Sequence, residues 1–379
     1  TMQHGFIKVA AATPRVQVAD PFHNAAEIAQ LARQAAQEGV RLLVSSELSL
    51  TGYTCGDLFL QRTLLQGALD ALLRLAADTR DLDLMLIVGL PYAHRSTLYN
   101  CAAALYGGEI LGLVPKTWLP NYAEFYERRY FTSGRRLEGC TVEIGMQTVP
   151  FGCDLLFCHR FMPELKVGVE LCEDLWAPDP PSTVLALAGA TVICNPSASD
   201  ELVTKDEYRR QLVSSHAARL VCGYVYCNAG DGESTQDVVY TGQNLICENG
   251  VLLAESQTTS GLTISELDVQ RLDHERRKMG YFHRAGLAVR EIPWGDTLAW
   301  TKLTRPIAQM PFVPENEALR QARCEKILSI QSMGLKKRIE HTHAGAVVIG
   351  VSGGLDSTLA MLVAARAMDL CGRPRTDII

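Results

Sequence analysis

The order of the apolar runs along the chain limits its fold more than any other feature of the sequence. Strand-like runs such as "FIKVAAAT" and "RLLVSSEL" alternate with helix-like runs such as 24–38. Two stretches instead predict hairpins, "YNCAAALYGGEILGLVPK" with Gly107 and Gly108 in its turn, and "GQNLICENGVLLAES" turned at Asn249 and Gly250. Because strand–helix alternation favours parallel pairing and hairpins are antiparallel, we predict a mixed sheet with covering layers on both faces.

The same periodicities predict the remaining elements and a change of domain. A helix is expected at 57–77, followed by the strand "LMLIVGLP"; the segments "KVGVELCED", "TVICNPS" and "GYVYCNAG" are predicted strands, separated by the helices "PSTVLALAGA" and 205–221. After residue 290 four prolines without periodicity indicate a linker, and a long helix follows from Glu317. We therefore expect one domain over 1–290, a linker over 291–315 and part of another domain over 316–379.

Composition argues against several kinds of partner. The formal net charge of −6 comes from 36 basic and 42 acidic residues that are interspersed, so neither nucleic acid nor a membrane surface is an expected partner. No apolar run reaches the roughly 18 residues that a membrane span requires. The twelve cysteines form no CxxC pair, and several lie inside apolar runs, which favours a reducing, cytoplasmic location.

Three reactive side chains stand where predicted strands end. Glu47 ends "RLLVSSE", Lys116 follows the first hairpin, and Cys172 closes "VGVELC". Each alone has an ordinary explanation, as a capping carboxylate, a surface charge or a buried thiol. A thiol beside Glu173 and Asp174 becomes less acidic, so a nucleophilic role for Cys172 would require a cation that the neighbouring sequence does not supply. Strand ends are nevertheless common places for reacting groups in layered α/β proteins.

The segments "SSELSLTGY", "LYNCAAALYGGEILGLVPKTWLPNYAEFYERRYF" and "VGVELCEDLW" resemble the carbon-nitrogen hydrolase (nitrilase) superfamily over about residues 5–290. The resemblance implies a four-layer α-β-β-α sandwich and a catalytic triad at Glu47, Lys116 and Cys172. The thiol would attack a carboxamide carbonyl, Glu47 would move protons, and Lys116 would stabilise the oxyanion. The backbone N–H of Glu173 is a second expected oxyanion donor, and neither a metal nor a cofactor is expected at this site.

Near the carboxyl end, "SGGLDST" lies between the apolar run "AGAVVI" and a helical pattern. This order predicts a strand, a tight loop and a helix whose backbone N–H groups face a phosphate. The stretch resembles the SGGxDS signature of ATP pyrophosphatases, although it lacks the lysine of a P-loop. The resemblance implies ATP and magnesium as ligands, with contacts from Ser352, Gly353, Gly354, Asp356 and Ser357.

Only 21 residues follow Thr358. We therefore expect the chain to carry the truncated start of a doubly wound, parallel-sheet (Rossmann-like) domain. Such a piece is not expected to bind ATP productively.

The pairing of the two signatures resembles the family of glutamine-dependent NAD synthetases. That resemblance implies three substrates, glutamine, deamido-NAD and ATP, with ammonia from glutamine attacking an adenylate of deamido-NAD. A homo-oligomer is also implied.

The same resemblance implies a set of glutamine contacts. Tyr53 and Tyr122 would lie near the reacting centre, Glu173 and Ser199 would face the amino acid head group, and Lys205 would face the carboxylate. Ordinary aromatic packing is the alternative for the two tyrosines. A lysine at 205 would bind a carboxylate as a point charge and not as a two-pronged fork.

Two other functions stay open. The chain could be a stand-alone nitrilase-type amidase acting on another small amide, which the "SGGLDS" stretch argues against. It could also be a non-catalytic, nucleotide-sensing subunit, which the intact set of Glu47, Lys116 and Cys172 argues against.

Overall fold

The computed structural model describes residues 4–256, 258–280, 282 and 286–379 and divides the chain into two compact units, the first ending at Arg305 and the second running from Pro306 to Ile379. The strands are β1 (Phe6–Thr13), β2 (Leu42–Ser45), β3 (Met85–His94), β4 (Thr97–Tyr106), β5 (Glu109–Pro115), β6 (Cys140–Ile144), β7 (Gln147–Phe151), β8 (Leu155–His159), β9 (Lys166–Val169), β10 (Val192–Pro196), β11 (Gly223–Cys227), β12 (Leu245–Glu248), β13 (Val251–Glu255), β14 (Gly261–Asp268) and β15 (Arg290–Trp294). The helices are α1 (Pro21–Gln37), α2 (Arg62–Asp78), α3 (Glu173–Trp176), α4 (Pro181–Leu187), α5 (Lys205–Leu220), α6 (Val269–Met279), α7 (Glu317–Thr342) and α8 (Leu355–Leu370), with 3-10 turns at Gly56–Leu60, Glu127–Arg129 and Arg375–Asp377.

The strands of the first unit form two mixed sheets. Sheet A runs in the order β14-β1-β2-β3-β4-β5-β7-β6, and sheet B in the order β13-β12-β11-β10-β9-β8-β15. Pairing is parallel among β1, β2 and β3 and among β9, β10 and β11, where helices or long loops connect the strands. It is antiparallel in the two predicted hairpins, β4–β5 and β12–β13. The predicted mixed pairing is confirmed, but in two sheets.

The side chains of these strands explain why the sheets stack. In β1, Ile7 and Val9 point into a core shared with sheet B, whereas Ala10 and Ala12 face the helices α1 and α2. The outer face of sheet B packs in the same way against α4 and α5, for example through Val213. Strands that are apolar on both faces need a layer on each side. The result is the expected four-layer α-β-β-α sandwich.

The predicted helix over 57–77 is divided in the structure. A 3-10 turn occupies Gly56–Leu60, and α2 begins at Arg62. The residue between them, Gln61, has an extended backbone with ψ 122°, which interrupts the helical hydrogen bonds.

The first unit also extends beyond residue 290, into the segment predicted as linker. There β15 pairs in parallel with β8, and Trp294 is buried. The N–H groups of Thr304 and Arg305 both donate to the carboxylate of Glu266, each at 2.9 Å. These contacts attach the proline-containing segment to the sandwich as far as Arg305.

In the second unit, α7 covers the long helix predicted from Glu317, and α8 follows the glycine loop. The run "AGAVVI" was predicted as a strand, but it contributes a single parallel bridge between Val347 and Ile378. Flanking bonds join Val347 N–H to Asp377 O at 2.9 Å and Ile349 N–H to Ile379 O at 2.8 Å. The parallel direction of this bridge agrees with the expected parallel-sheet domain. The sheet itself stays a prediction.

In the described part of the chain, no helix is both long and apolar enough to cross a membrane.

Candidate active site

Glu47 and Lys116 meet in the interior of the first unit. Glu47 lies in the turn after β2 and Lys116 directly after β5, and both side chains are completely buried. The Lys116 Nζ donates to Glu47 Oε1 at 2.6 Å, and Asn100 Nδ2 donates to the same oxygen at 2.7 Å. The other carboxylate oxygen, Oε2, accepts the N–H of Ala198, which follows β10, at 3.0 Å. Glu47 is therefore held by groups that follow strands of both sheets.

The turn that carries Glu47 passes very close to β3. A Cβ added at Gly89 would lie 2.2 Å from the backbone nitrogen of Leu48 and 2.9 Å from the carbonyl carbon of Glu47. Only glycine allows this approach of two backbones.

A second carboxylate, Glu127, holds the same ammonium group. Lys116 Nζ donates to Glu127 Oε1 at 2.7 Å, and the hydroxyl of Tyr53 donates to that oxygen at 2.8 Å. The other oxygen of Glu127 is buried and has no hydrogen-bond partner among the described residues. Burial raises the pKa of Glu127 to about 7, with a further increase from the charge of Glu47 and a decrease from Lys116. Sequence reasoning missed Glu127, whose only signal was its place in the aromatic segment after Lys116.

Cys172 occupies a strained turn between β9 and the short helix α3. Its backbone has φ +41° and ψ −99°, a conformation that side-chain-bearing residues rarely adopt. The thiol is almost buried, at 6% exposure. Because strained backbone concentrates at functional sites, this geometry adds an independent reason to examine Cys172.

The charges of the buried cluster act on this thiol. Burial is the main cause that raises the pKa of Cys172, and the negative charge of Glu47 raises it further, while the positive charge of Lys116 lowers it. Burial would lower the pKa of Lys116, but the carboxylates of Glu127 and Glu47 raise it well above its usual value. The resting site therefore holds a protonated thiol beside a lysine that keeps its charge, so attack by sulfur needs a base that accepts the thiol proton.

Asp174 connects the segment that carries Cys172 to the segment that carries Lys116. Its buried carboxylate accepts the N–H of Leu171 at 2.9 Å, of Thr117 at 3.1 Å and of Trp118 at 2.7 Å. Each donor is a direct or next neighbour of Lys116 or Cys172 in the chain. One side chain thus fixes the spacing between the two segments that follow β5 and β9.

Several of the residues expected to bind substrate already have hydrogen-bond or ion-pair partners within the fold. Tyr122, 56% exposed, donates to Glu173 Oε1 at 2.9 Å. Lys205 forms an ion pair with Asp200, and its Nζ lies 5.5 Å from the ring centre of Phe125.

Ser199 is buried and also has a partner. The Ser199 Oγ accepts from Nη2 of the buried Arg209 at 3.1 Å. A substrate group that binds Ser199 or Lys205 would share or replace these partners.

A cavity of about 160 Å³ opens next to the cluster. Tyr53 and Glu127 lie in its wall and also contact each other, so the cavity reaches the Lys116 group through them. Aromatic rings form much of the remaining lining, including Phe59, Tyr130 and Tyr240.

The glycine loop lies in the second unit. Gly353 has φ +85°, Gly354 caps α8, and Ser352 through Asp356 are exposed. The Ser357 hydroxyl donates to Gly354 O at 3.1 Å. The first N–H groups of a helix have no partner within it, so this end of α8 offers donors that suit a phosphate. No group of three or more metal-binding side chains occurs among the described residues.

Fold and site together define the class as a layered α/β protein with a buried lysine–carboxylate cluster and a strained cysteine at the ends of its strands. The model of the carbon-nitrogen hydrolase family matches residues 8–277, which is most of the chain. The chain therefore belongs to the carbon-nitrogen hydrolase family. A second model, NAD synthase, matches residues 327–375 in the second unit.

Similar proteins carry both parts. A protein of Mycobacterium tuberculosis (strain ATCC 25618 / H37Rv), glutamine-dependent NAD(+) synthetase, is 43% identical over the whole chain and 57% of its own length. Another of the same name, from Thermotoga maritima, is 32% identical over 89% of the chain and 54% of its own length. The crystal structure of a glutamine-dependent NAD(+) synthetase from Cytophaga hutchinsonii matches with a TM-score of 0.61 at 23% identity, covering 96% of this chain and 52% of that one; at this identity it shows the fold alone. The chain thus spans little more than half the length of these relatives.

Proposed function

We propose that this chain is the glutamine-hydrolysing part, with the beginning of the ATP-binding part, of a glutamine-dependent NAD synthetase. One observation carries the proposal: an ammonium group, that of Lys116, is buried between Glu47 and Glu127 beside a strained cysteine. The relatives at 43% identity support the choice of reaction. Glutamine and water would give glutamate and ammonia.

In the first half of the reaction, the sulfur of Cys172 attacks the carboxamide carbon of glutamine while Glu47 accepts the thiol proton. The carbonyl oxygen becomes an oxyanion, which Lys116 and the backbone N–H of Glu173 stabilise. When the tetrahedral intermediate collapses, the carbon–nitrogen bond breaks and Glu47 returns the proton to the leaving nitrogen. Ammonia departs, and a thioester to Cys172 remains.

In the second half, water replaces ammonia. Glu47 accepts a proton from the water as its oxygen attacks the thioester carbon, and the proton then passes to the sulfur of Cys172. Glutamate leaves, and the thiol is restored. Glu127 keeps Lys116 in place through its 2.7 Å bond during both halves.

The remaining contacts support glutamine as the substrate. Glu173, which follows Cys172 in the chain, accepts a hydrogen bond from the exposed Tyr122, and this pair suits an ammonium head group. Lys205 and Ser199 lie on the segment that follows β10, and Lys205 offers a positive charge to the substrate carboxylate. Tyr53 contributes to the wall of the adjoining cavity.

In the whole protein, ammonia would attack an adenylate made from deamido-NAD and ATP. The first N–H groups of α8, with Ser352, Gly353, Gly354 and Ser357, would hold the ATP phosphates. Magnesium bound to those phosphates and to Asp356 would offset their charge.

We further infer two domains, a hydrolase domain that continues past residue 290 to Arg305, because β15 belongs to sheet B, and an ATP-binding domain that begins near residue 316. All twelve cysteines are free thiols, which supports a cytoplasmic enzyme. We also propose that the whole protein is a homo-oligomer.

A substrate panel tests this function. The 379-residue chain is incubated with glutamine, asparagine and simple aliphatic amides, and released ammonia is measured. Hydrolysis confined to glutamine is the expected result. Hydrolysis confined to the other amides would contradict the proposal in favour of a stand-alone amidase, and hydrolysis of none of them would favour a nucleotide-sensing subunit.

A further inference from the structure

The strained backbone of Cys172 is held from one side by hydrogen bonds to its N–H group. With φ +41° and ψ −99°, Cys172 lies outside the left-handed helical region as well as the right-handed one. Its N–H donates to the side-chain Oδ1 of Asn195 at 2.8 Å and to the carbonyl of Pro196 at 3.0 Å. Both acceptors lie at the end of β10. A conformation of this kind persists only when its surroundings stabilise it.

The side chain of Asn195 can serve as an acceptor only in one orientation. Its Oδ1 faces the Cys172 N–H, and its Nδ2 donates to the hydroxyl of Tyr224 at 2.8 Å. The hydroxyl of Ser197 lies 2.7 Å from the same Oδ1. If the amide were reversed, its NH₂ group would meet the Cys172 N–H, and two donors would face each other.

The orientation of the amide depends on the next two members of the chain of hydrogen bonds. The Tyr224 hydroxyl donates its proton to Glu170 Oε1 at 2.6 Å, so its oxygen is left to accept from Asn195. The other oxygen of Glu170 accepts the N–H of Ser182, in α4, at 2.9 Å. Glu170, Tyr224 and Asn195 are all fully buried. The direction of each bond therefore fixes the direction of the next.

This chain of hydrogen bonds, from Asn195 through Tyr224 to Glu170, lies on the outer face of sheet B. Tyr224 belongs to the core between sheet B and the helices α4 and α5, and Glu170 reaches the first turn of α4. The carboxylates that act on the thiol, Glu47 and Glu127, instead bind Lys116, which follows a strand of sheet A. The cysteine is thus held through its backbone from one layer and influenced through its sulfur from another.

We propose that Asn195, Tyr224 and Glu170 are positioning residues that hold the backbone of Cys172 in its strained conformation and so aim its sulfur at the substrate carbonyl. None of the three touches the reacting atoms in this role. The inference rests on the proposed function, in which Cys172 is the nucleophile. Loss of one bond would let the backbone of Cys172 relax and displace the sulfur, and a displacement of about 1 Å can cost about 100-fold in rate.

The decisive variant is Tyr224→Phe, which removes one oxygen atom and both of its hydrogen bonds. The matched control is Tyr106→Phe, in sheet A. Tyr106 is also buried, and its hydroxyl donates to a carboxylate, that of Asp83, at 2.8 Å. Both variants are made in the 379-residue chain. For each we would measure kcat and KM for glutamine, the rate at which iodoacetamide alkylates Cys172 as read from the mass of its peptide, and urea unfolding.

We expect Tyr224→Phe to lower kcat by about 10- to 100-fold while KM stays within about twofold. Alkylation of Cys172 should slow as well, because the displaced thiol would lie farther from Lys116 and from Glu47, the base that accepts its proton. Tyr106→Phe should lose comparable stability with kcat and alkylation unchanged. Glu170→Gln is a second variant, and the pair Glu170→Gln/Tyr224→Phe should be no slower than the slower single change, because both act through one chain of bonds.

The inference is overturned if Tyr224→Phe and Glu170→Gln have the same kcat and the same rate of Cys172 alkylation as Tyr106→Phe. Should Tyr224→Phe fail to fold, Glu170→Gln decides the question alone. If the unchanged chain releases no ammonia from glutamine, the proposed function fails. The alkylation rates still decide whether the hydrogen-bonded chain positions the thiol, so the two failures are distinguishable.

Discussion

Lys116 is the residue on which the electrostatics of the site depend. A buried ammonium group is stable only with partners that replace its water, and here two carboxylates bind the ammonium group of a completely buried lysine. The carboxylates of Glu47 and Glu127 share the single positive charge of Lys116 and also repel each other. With both carboxylates ionised, the three side chains together carry one net negative charge. Burial, together with the negative charge of Glu47, explains why the pKa of Glu127 is raised to about 7.

Glu127→Gln should change how stability depends on pH. The pKa of Glu127 is about 7 in the folded chain against an ordinary value of 4.5, so the folded state keeps a proton that the unfolded chain loses between these values. The free energy of unfolding should therefore fall as the pH rises from about 4.5 to about 7, and the variant should lack that part of the decrease. Urea unfolding of the variant and of the unchanged chain at a series of pH values measures this difference in pH dependence.

The control for this prediction is Glu109→Gln, which changes an exposed glutamate of β5. It should keep the pH dependence of the unchanged chain. Equal pH dependence in both variants would contradict the raised pKa of Glu127.

At the scale of elements, the site forms because three strands end near one another in two stacked sheets. Glu47 follows β2 and Lys116 follows β5 in sheet A, and Cys172 closely follows β9 in sheet B. The strand ends are visible in the sequence as points where apolar alternation stops. The stacking that brings them together is not, because it depends on side chains of both sheets that are far apart along the chain.

Asp174→Asn should loosen the connection between the segments after β5 and β9. The variant replaces one of two carboxylate oxygens that accept backbone N–H groups with a donor, and a buried N–H left without an acceptor costs about 1–3 kcal/mol. We expect a loss of unfolding free energy of that size and a lower kcat. Urea unfolding and ammonia release measure the two effects.

Asp179→Asn serves as the comparison, because the Asp179 side chain is 69% exposed and its ion pair with Arg135 is long, at 3.7 Å. Surface pairs of this kind contribute little. If Asp174→Asn and Asp179→Asn had the same free energy of unfolding, Asp174 would not hold together the segments that follow β5 and β9.

The elements that the sequence did not predict have specific causes. β15 contains Pro293, one of the four prolines without periodicity that predict a linker after residue 290. Proline is tolerated in an edge strand, because the missing N–H is then not needed by a neighbour, and β15 is the edge of sheet B. The run "AGAVVI" differs from its prediction in the opposite direction. Its composition is typical of a strand, but it forms a single bridge, because few backbone groups of the second unit are available to pair with it.

For the whole molecule, the residues that the sequence singled out and those it missed differ in kind. Glu47 and Lys116 could be predicted because each ends a regular strand, and the structure joins them at 2.6 Å. Glu127 and Asn195 could not, because their contacts depend on the path of a loop and on a buried hydroxyl. The catalytic roles of Glu47, Lys116 and Cys172 stay predictions that rest on this geometry.

The role of Cys172 as nucleophile is tested by ammonia release from glutamine by the 379-residue chain, by Cys172→Ala and by Cys194→Ala. Cys194 is also a buried thiol, but it lies within β10 and packs in the core between the sheets. We predict that release disappears in Cys172→Ala, because the thioester forms on the sulfur of Cys172, and continues in Cys194→Ala. Release from glutamine that survives in Cys172→Ala would contradict it.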